Sequence, residues 1–191
     1  MPALLTPNHI SWHDVLVVGV KAAPHFVAKA EVASWPILGY LGKQADTLFI
    51  DRGNRHAAAE IAEQMASRLE QRSIVVFPEG TTSEGESVQH FKRRLFEPAQ
   101  KLSSPIQPIA LHYFSKDKKG RSLGFGDESF VCHFWRTLGV EKIQVAVLFC
   151  QPILPAGEST VELAKEAQRR VEHAKKQLLK TNHFNLSAFP Q

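Results

Sequence analysis

Cysteine is scarce in this 191-residue chain: there are two, Cys132 and Cys150, neither close in sequence nor enough for a disulfide framework, so a reducing compartment is expected. Long apolar runs are missing as well. The longest, such as Val15 to Val18 and Val145 to Cys150, fall far short of the roughly 20 residues that span a bilayer, and no signal peptide precedes the first polar cluster. A role at a membrane would therefore have this chain lying on the surface. Ala3-Leu4-Leu5 already reads as a core strand, an abrupt start that leaves room for an upstream membrane-anchoring segment. Internal repeats are absent. His9 and His13 stand four apart, a zinc spacing on a continuous helix, but no third ligand is evident and no metal site is expected.

What is present is ordinary for one globular domain, with 43% hydrophobic and 22% charged residues in a chain too short to expect two domains. A net charge of +4 and a pI near 9.1 favour anionic partners without choosing among nucleic acid, phospholipid and a phosphorylated cofactor.

The most informative stretch is Asn8-His9-Ile10-Ser11-Trp12-His13-Asp14. On a continuous helix, residues five apart point about 140° away from each other, so His9 and Asp14 meet only if the segment breaks between them. Ser11 supplies the break. Ser-x-x-Asp ahead of Val15-Leu16-Val17-Val18 reads as a capping box, with Ser11 at the N-cap and Asp14 at the third helical position. His9 then lies outside the helix, free to fold back so that Asp14 accepts from one imidazole nitrogen and the other serves as a base for a hydroxyl. On these residues alone the alternative stays open: Asp14 as a cap and His9 as a loop histidine.

Strand and helix patterns alternate along the chain. Ala3 to Thr6, His25 to Ala28, Thr47 to Ile50, Ser73 to Phe77, Ile106 to Tyr113 and Ile143 to Cys150 read as strands, with Pro108 interrupting the fifth. Ser11 to Ala23, Arg55 to Arg72, a basic segment from Val88 to Leu102, Phe130 to Leu138 and Thr160 to Thr181 read as helices. The second of these carries Ala58, Ile61, Ala62, Met65 and Leu69 at steps of three and four. A short helical piece starts near Ala30 and is broken up by Pro36 and Gly39. This alternation predicts a single α/β domain with a mostly parallel central sheet and helices on both faces, and such sheets bind ligands beyond the carboxyl ends of their strands. Three polar clusters fall at that edge: Asn8 to Asp14, Asp51-Arg52 and Pro78 to Ser83. An arginine at a strand end offers a planar fork for phosphate or forms a plain salt bridge. Gly80 with the hydroxyls of Thr81, Thr82 and Ser83 suits oxygen-rich ligands, or a simple turn.

Together the clusters resemble the glycerolipid acyltransferase family, best known for the 1-acyl-sn-glycerol-3-phosphate acyltransferases, over about residues 3 to 113. The family's Asn-His-x-Ser-x-x-Asp block stands as Asn8 to Asp14. A second block stands as Phe49-Ile50-Asp51-Arg52, the third as Phe77-Pro78-Glu79-Gly80-Thr81-Thr82-Ser83, and a proline-centred fourth as Ile106-Gln107-Pro108-Ile109-Ala110. Val27-Ala28-Lys29-Ala30-Glu31 is similar to the family's Lys-x-Glu segment. The resemblance implies His9 as general base, Asp14 as the residue that orients it, and Arg52, Glu79, Gly80 and Thr81 as the acceptor site. Lys29 adds a positive charge there, Pro108 lies near the acyl donor, and no acyl-enzyme forms.

The chain departs from the family where many members read Phe-Lys-x-Gly; here Phe91-Lys92-Arg93-Arg94-Leu95 lacks the glycine and gains a basic triplet. Gly124 to Ser129, with His133 and Trp135, is more similar to the bacterial branch acting on lysophospholipids or lyso-ornithine lipids.

The expected function is transfer of a fatty acyl group from acyl-CoA or acyl-carrier protein to a lysolipid hydroxyl. The acceptor expected first is 1-acyl-sn-glycerol-3-phosphate, in phospholipid biosynthesis at the cytoplasmic face of the inner membrane. No bound cofactor and no nucleic-acid partner are expected. A lyso-ornithine lipid acceptor, a hydrolase using water, and a non-catalytic lipid-binding module are the rivals. The aromatic and apolar residues Trp12, Trp35, Pro36, Ile37, Leu38, Tyr40 and Leu41 read as core, acyl groove or bilayer contact.

Overall fold

In the computed structural model, residues 1–22, 24–35, 38–50, 55–117, 119–126 and 128–181 are described. The chain runs β1 (Leu4–Pro7), α1 (His13–Ala22), β2 (His25–Lys29), a 3-10 segment (Ala30–Ser34), α2 (Leu38–Gln44), β3 (Leu48–Ile50), α3 (Arg55–Gln71) and β4 (Ile74–Val75). A second 3-10 segment (Arg93–Phe96) leads into α4 (Glu97–Leu102), followed by β5 (Ile106–Tyr113), α5 (Phe130–Leu138), β6 (Val145–Phe149) and α6 (Thr160–Thr181).

The strands form one six-stranded sheet in the order β3-β2-β4-β1-β5-β6. All neighbours pair in parallel except β6, which runs antiparallel to β5 at the edge. Because side chains alternate across a strand, adjacent apolar residues feed opposite cores. Leu4 and Ile74 join Met65, Leu69, Phe91, Phe96 and Val171 under α3, α4 and α6. Leu5 and Val75 join Val18, Phe26, Leu111 and Tyr113 on the α1 face. That two-sided burial explains why these strands read as unbroken apolar runs. The helical steps predicted for α3 place Met65 and Leu69 at 1% and 0% exposure, and a stripe of Leu163, Ala164, Ala167 and Val171 does the same for α6.

Three local expectations change. The segment from Val88 is not helical until Arg93, and the α-helix begins at Glu97 with a proline in its first turn, because Pro98 is tolerated only there. Residues before it bond elsewhere: Lys92 N donates to Pro78 O and Phe91 N to Gln168 Oε1. Pro108 does not interrupt β5. Cys150 N donates to Pro108 O at 2.9 Å, and the Gln107 side-chain amide donates to Cys150 O at 2.6 Å, replacing the N–H that proline lacks. Gly39 opens rather than breaks α2: it is buried, and a Cβ there would collide with the Ala33 carbonyl, so its lack of a side chain permits the close approach.

Candidate active site

β1 is central in the sheet, and the loop leaving its carboxyl end carries Asn8 to Trp12. The break required between His9 and Asp14 is present. His9 Nδ1 lies 2.8 Å from Asp14 Oδ2, and the same oxygen accepts from Ile10 N at 2.6 Å and Ser11 N at 2.9 Å. Oδ1 accepts from the Tyr113 hydroxyl at 2.7 Å. Asp14 is fully buried, so these donors replace the water its carboxylate lost, each hydrogen bond to a charged group being worth about 1.5–3 kcal/mol. One oxygen serves both His9 and the helix start, and the other serves Tyr113.

Only half of the predicted capping box forms. Asp14 reaches back to Ser11 N, but the Ser11 hydroxyl contacts His13 Nδ1 at 2.9 Å and His133 Nε2 at 3.1 Å. The contrast with α6 is instructive, since there Ser159 Oγ accepts from Glu162 N while Glu162 accepts from Ser159 N. Behind His133, Glu128 Oε1 sits 2.9 Å from Nδ1 and is also gripped by Arg136. Burial lowers His13 to about 4 and lowers His133 from its ordinary value, so both remain neutral near pH 7. His13 stacks on Trp12 with ring centroids 3.9 Å apart. His9 and His13 take separate partners, Asp14 and Ser11, and among the described residues no group of three or more His, Cys, Asp or Glu is arranged to hold a metal.

His9 is fixed from the other side by the third polar cluster. Its ring stacks on Phe77 with centroids 4.0 Å apart, its backbone N donates to Glu79 Oε1 at 2.7 Å, and its carbonyl accepts from Ser83 N at 3.1 Å. Glu79 Oε2 accepts from Gln89 N at 2.9 Å. Both oxygens of this buried carboxylate thus brace backbone. Burial pushes the Glu79 carboxyl up, against the pull of those two amides and of nearby Lys175. Lys175, itself buried on α6, donates to the Gly85 carbonyl and ties the loop to the last helix.

A cavity of about 740 Å³ opens beside His9 and runs along Trp12, Leu16, Val20, Phe26, Trp35, Phe49 and Phe130. Gly80, Thr81 and Thr82 line its polar end. Gly80 has φ 73°, a left-handed conformation that favours glycine, and the flexible end of the Lys92 side chain lies over it. His9 keeps 18% side-chain exposure, and its Nε2 has no hydrogen-bond partner among the described residues. A base with one nitrogen anchored on a buried carboxylate and the other free beside an apolar cavity can take a proton from a hydroxyl bound there.

The structure thus brings His9, Asp14, Glu79, Gly80 and Thr81 together. Lys29 ends β2, but its side chain lies outside the described residues, as does Arg52 entirely. Pro108 is buried within β5 opposite Thr6 and is not among the residues lining the cavity. Gly120-Arg121-Ser122-Leu123-Gly124 has the spacing of a nucleophile elbow, yet it lies in a loop, and the Ser122 hydroxyl donates to Glu84 O at 3.1 Å. Without the strand-to-helix turn it offers no nucleophile. Tyr113 and the Ser11 link to His133 escaped sequence reasoning. For Tyr113 the signal was a tyrosine closing an apolar strand, whose buried hydroxyl needs a partner.

A family model described as Acyltransferase matches residues 1–112. The chain is 37% identical over 175 residues to the lyso-ornithine lipid O-acyltransferase of Pseudomonas aeruginosa, covering 91% of this chain and 67% of that protein. It is 30% identical over 148 residues to the 1-acyl-sn-glycerol-3-phosphate acyltransferase of Neisseria gonorrhoeae, covering 76% of this chain and 58% of that one. The chain thus spans roughly three fifths to two thirds of these relatives. The crystal structure of the 1-acyl-sn-glycerophosphate acyltransferase PlsC from Thermotoga maritima shares the fold, with a TM-score of 0.63 at 22% identity over 93% of this chain and 66% of that one. With the first and third polar clusters folded onto one histidine and the family model covering more than half of its length, the chain belongs to the acyltransferase family.

Proposed function

We propose that the chain transfers a fatty acyl group from a thioester, carried by coenzyme A or acyl-carrier protein, to the free hydroxyl of a lysolipid. One observation carries this reading: His9 Nδ1 is held by buried Asp14 while Nε2, beside the cavity, has no partner among the described residues. The acceptor hydroxyl gives its proton to Nε2 as its oxygen attacks the thioester carbonyl. The C–S bond then breaks, and the imidazolium returns the proton to the departing thiolate. Asp14 stabilises the imidazolium without taking its proton. Glu79 acts by fixing the His9 backbone rather than by touching the acceptor.

For the acceptor, a lyso-ornithine lipid is the first reading. The relative covering 91% of this chain carries that name. Lysophosphatidic acid is the second, since a relative 30% identical over 76% of this chain is a 1-acyl-sn-glycerol-3-phosphate acyltransferase. Among the described residues no helix is long and apolar enough to cross a membrane. Exposed Val20 on α1 and Val131, Trp135 and Leu138 on α5 are assigned to bilayer contact at the cytoplasmic face of a bacterial cell membrane.

Labelled acyl-CoA and acyl-carrier protein, each offered with both lysolipids, test the proposal by product mass. Diacylated ornithine lipid is expected, with at least about 10²-fold less from His9→Ala. Full activity in a folded His9→Ala protein, or free fatty acid as the only product, would sink it.

A further inference from the structure

Three of the donors on Asp14 come from its own loop, and all three converge on Oδ2. The fourth comes from 99 residues away: the Tyr113 hydroxyl, at the last position of β5, donates to Oδ1 at 2.7 Å. The loop is clipped to the same strand a second time. Asn8 Oδ1 accepts from Leu111 N at 2.7 Å, and Asn8 Nδ2 donates to Leu111 O at 3.2 Å. Leu111 and Tyr113 are two apart on β5 and share the sheet face that packs under α1. The end of β5 therefore sets both the height of the loop and the plane of its carboxylate. Tyr113 lies one residue past the segment that the family model matches.

We infer that Tyr113 is a positioning residue for acyl transfer: through Asp14 Oδ1 it fixes the carboxylate that orients His9 and draws part of its charge away from the oxygen facing the imidazole. The inference rests on His9 being the base. Burial, together with the adjacent Asp14 charge, raises the Tyr113 phenol above its ordinary value, so the group stays a donor throughout the working pH range. Carboxylate charge shared with the phenol holds the Nδ1 proton less tightly. Removing the hydroxyl thus has two consequences. The carboxylate loses a point of attachment, which lowers turnover, and its undivided charge strengthens proton binding by the histidine, which moves the acid limb of the pH profile upward.

Tyr113→Phe in the full chain, assayed with a saturating lysolipid and acyl thioester, should lower kcat about tenfold, the loss of one hydrogen bond to a charged group. KM for both substrates should stay within about twofold, since Tyr113 is not among the residues lining the cavity. The acid limb of kcat/KM should move to higher pH. Rates at each pH are normalised to the folded fraction, because folding itself weakens in acid, so the shift reads the histidine and not acid unfolding. In a His9→Ala background, Tyr113→Phe should cause no further loss. Wild-type turnover with a wild-type acid limb, or a further tenfold drop in the His9→Ala background, would overturn the role of Tyr113 and leave that of His9 standing. Full activity in His9→Ala alone would instead overturn the reading beneath it.

Discussion

His9 with Asp14 and His133 with Glu128 are both histidine–carboxylate pairs five residues apart, joined through Nδ1 at 2.8 and 2.9 Å. They differ in what surrounds them. His9 retains 18% side-chain exposure, and the opposite ring nitrogen has no partner among the described residues, whereas His133 has no exposure and its Nε2 is bound to Ser11. Their carboxylates differ as well. Asp14 answers to neutral donors apart from the imidazole itself, while Glu128 is gripped by the Arg136 guanidinium, which holds its carboxyl below the usual range. A histidine–carboxylate distance thus does not separate the two, and both residues line the cavity; what differs is the His9 nitrogen without a partner among the described residues. The second pair holds α5 against the loop that bears the first.

The largest effects should separate the two histidines. His133→Ala should destabilise the fold by about 1–3 kcal/mol, because the fully buried ring loses its hydrogen bonds to Ser11 and Glu128, which keep His13 and Arg136 as partners. Per folded molecule it should retain at least tenfold more acyl transfer than His9→Ala, whose loss is about 10²-fold or more. Denaturant midpoints paired with product formation check both, and equal losses per folded molecule would end the distinction.

A middle-sized effect is expected from Glu79→Gln. Its side-chain amide replaces one acceptor with a donor that faces a backbone N–H, of His9 or of Gln89, and should cost about 1–3 kcal/mol. With His9 less firmly placed, kcat should fall more than KM rises. An unchanged melting temperature would show that the two amides are not held as described.

The smallest effect is a pH dependence of stability. The folded state lowers His13 from 6.5 to about 4, so the unfolded chain binds the extra proton first as pH falls. Stability from this group is fully present above pH 6.5 and is lost towards pH 4. His133, lowered by burial as well, acts in the same direction. Unfolding curves between pH 7 and 4 should steepen this way, and His13→Gln should flatten them; the same slope in that variant would exclude His13 as a source.

Much of the fold was legible because its periodicities are strong. The apolar steps of α3 and α6 and the buried runs of β1 and β5 depend on local spacing, and the structure places them within a residue or two of expectation. Where expectation failed, a distant partner had displaced a local preference. Residues 88–92 carry helix formers, yet Gln89 N goes to Glu79 and Lys92 N to Pro78 O. Gln107 stands in for the donor that Pro108 lacks. Ser11 gave up its capping role because two histidines, one of them 122 residues away, reached its hydroxyl first.

The sequence by itself determined that His9 and Asp14 must meet across a chain break, since helical geometry forbids the pair otherwise, and it determined which face of each element is buried. Only the tertiary structure decided which histidine has a nitrogen to offer. It also showed that Glu79 serves backbone and that Tyr113 completes the shell of Asp14. These facts turn on hydrogen bonds between residues 70 and 99 positions apart. Such partners are chosen by strand order and register, and nothing in the local spacing of a chain encodes them.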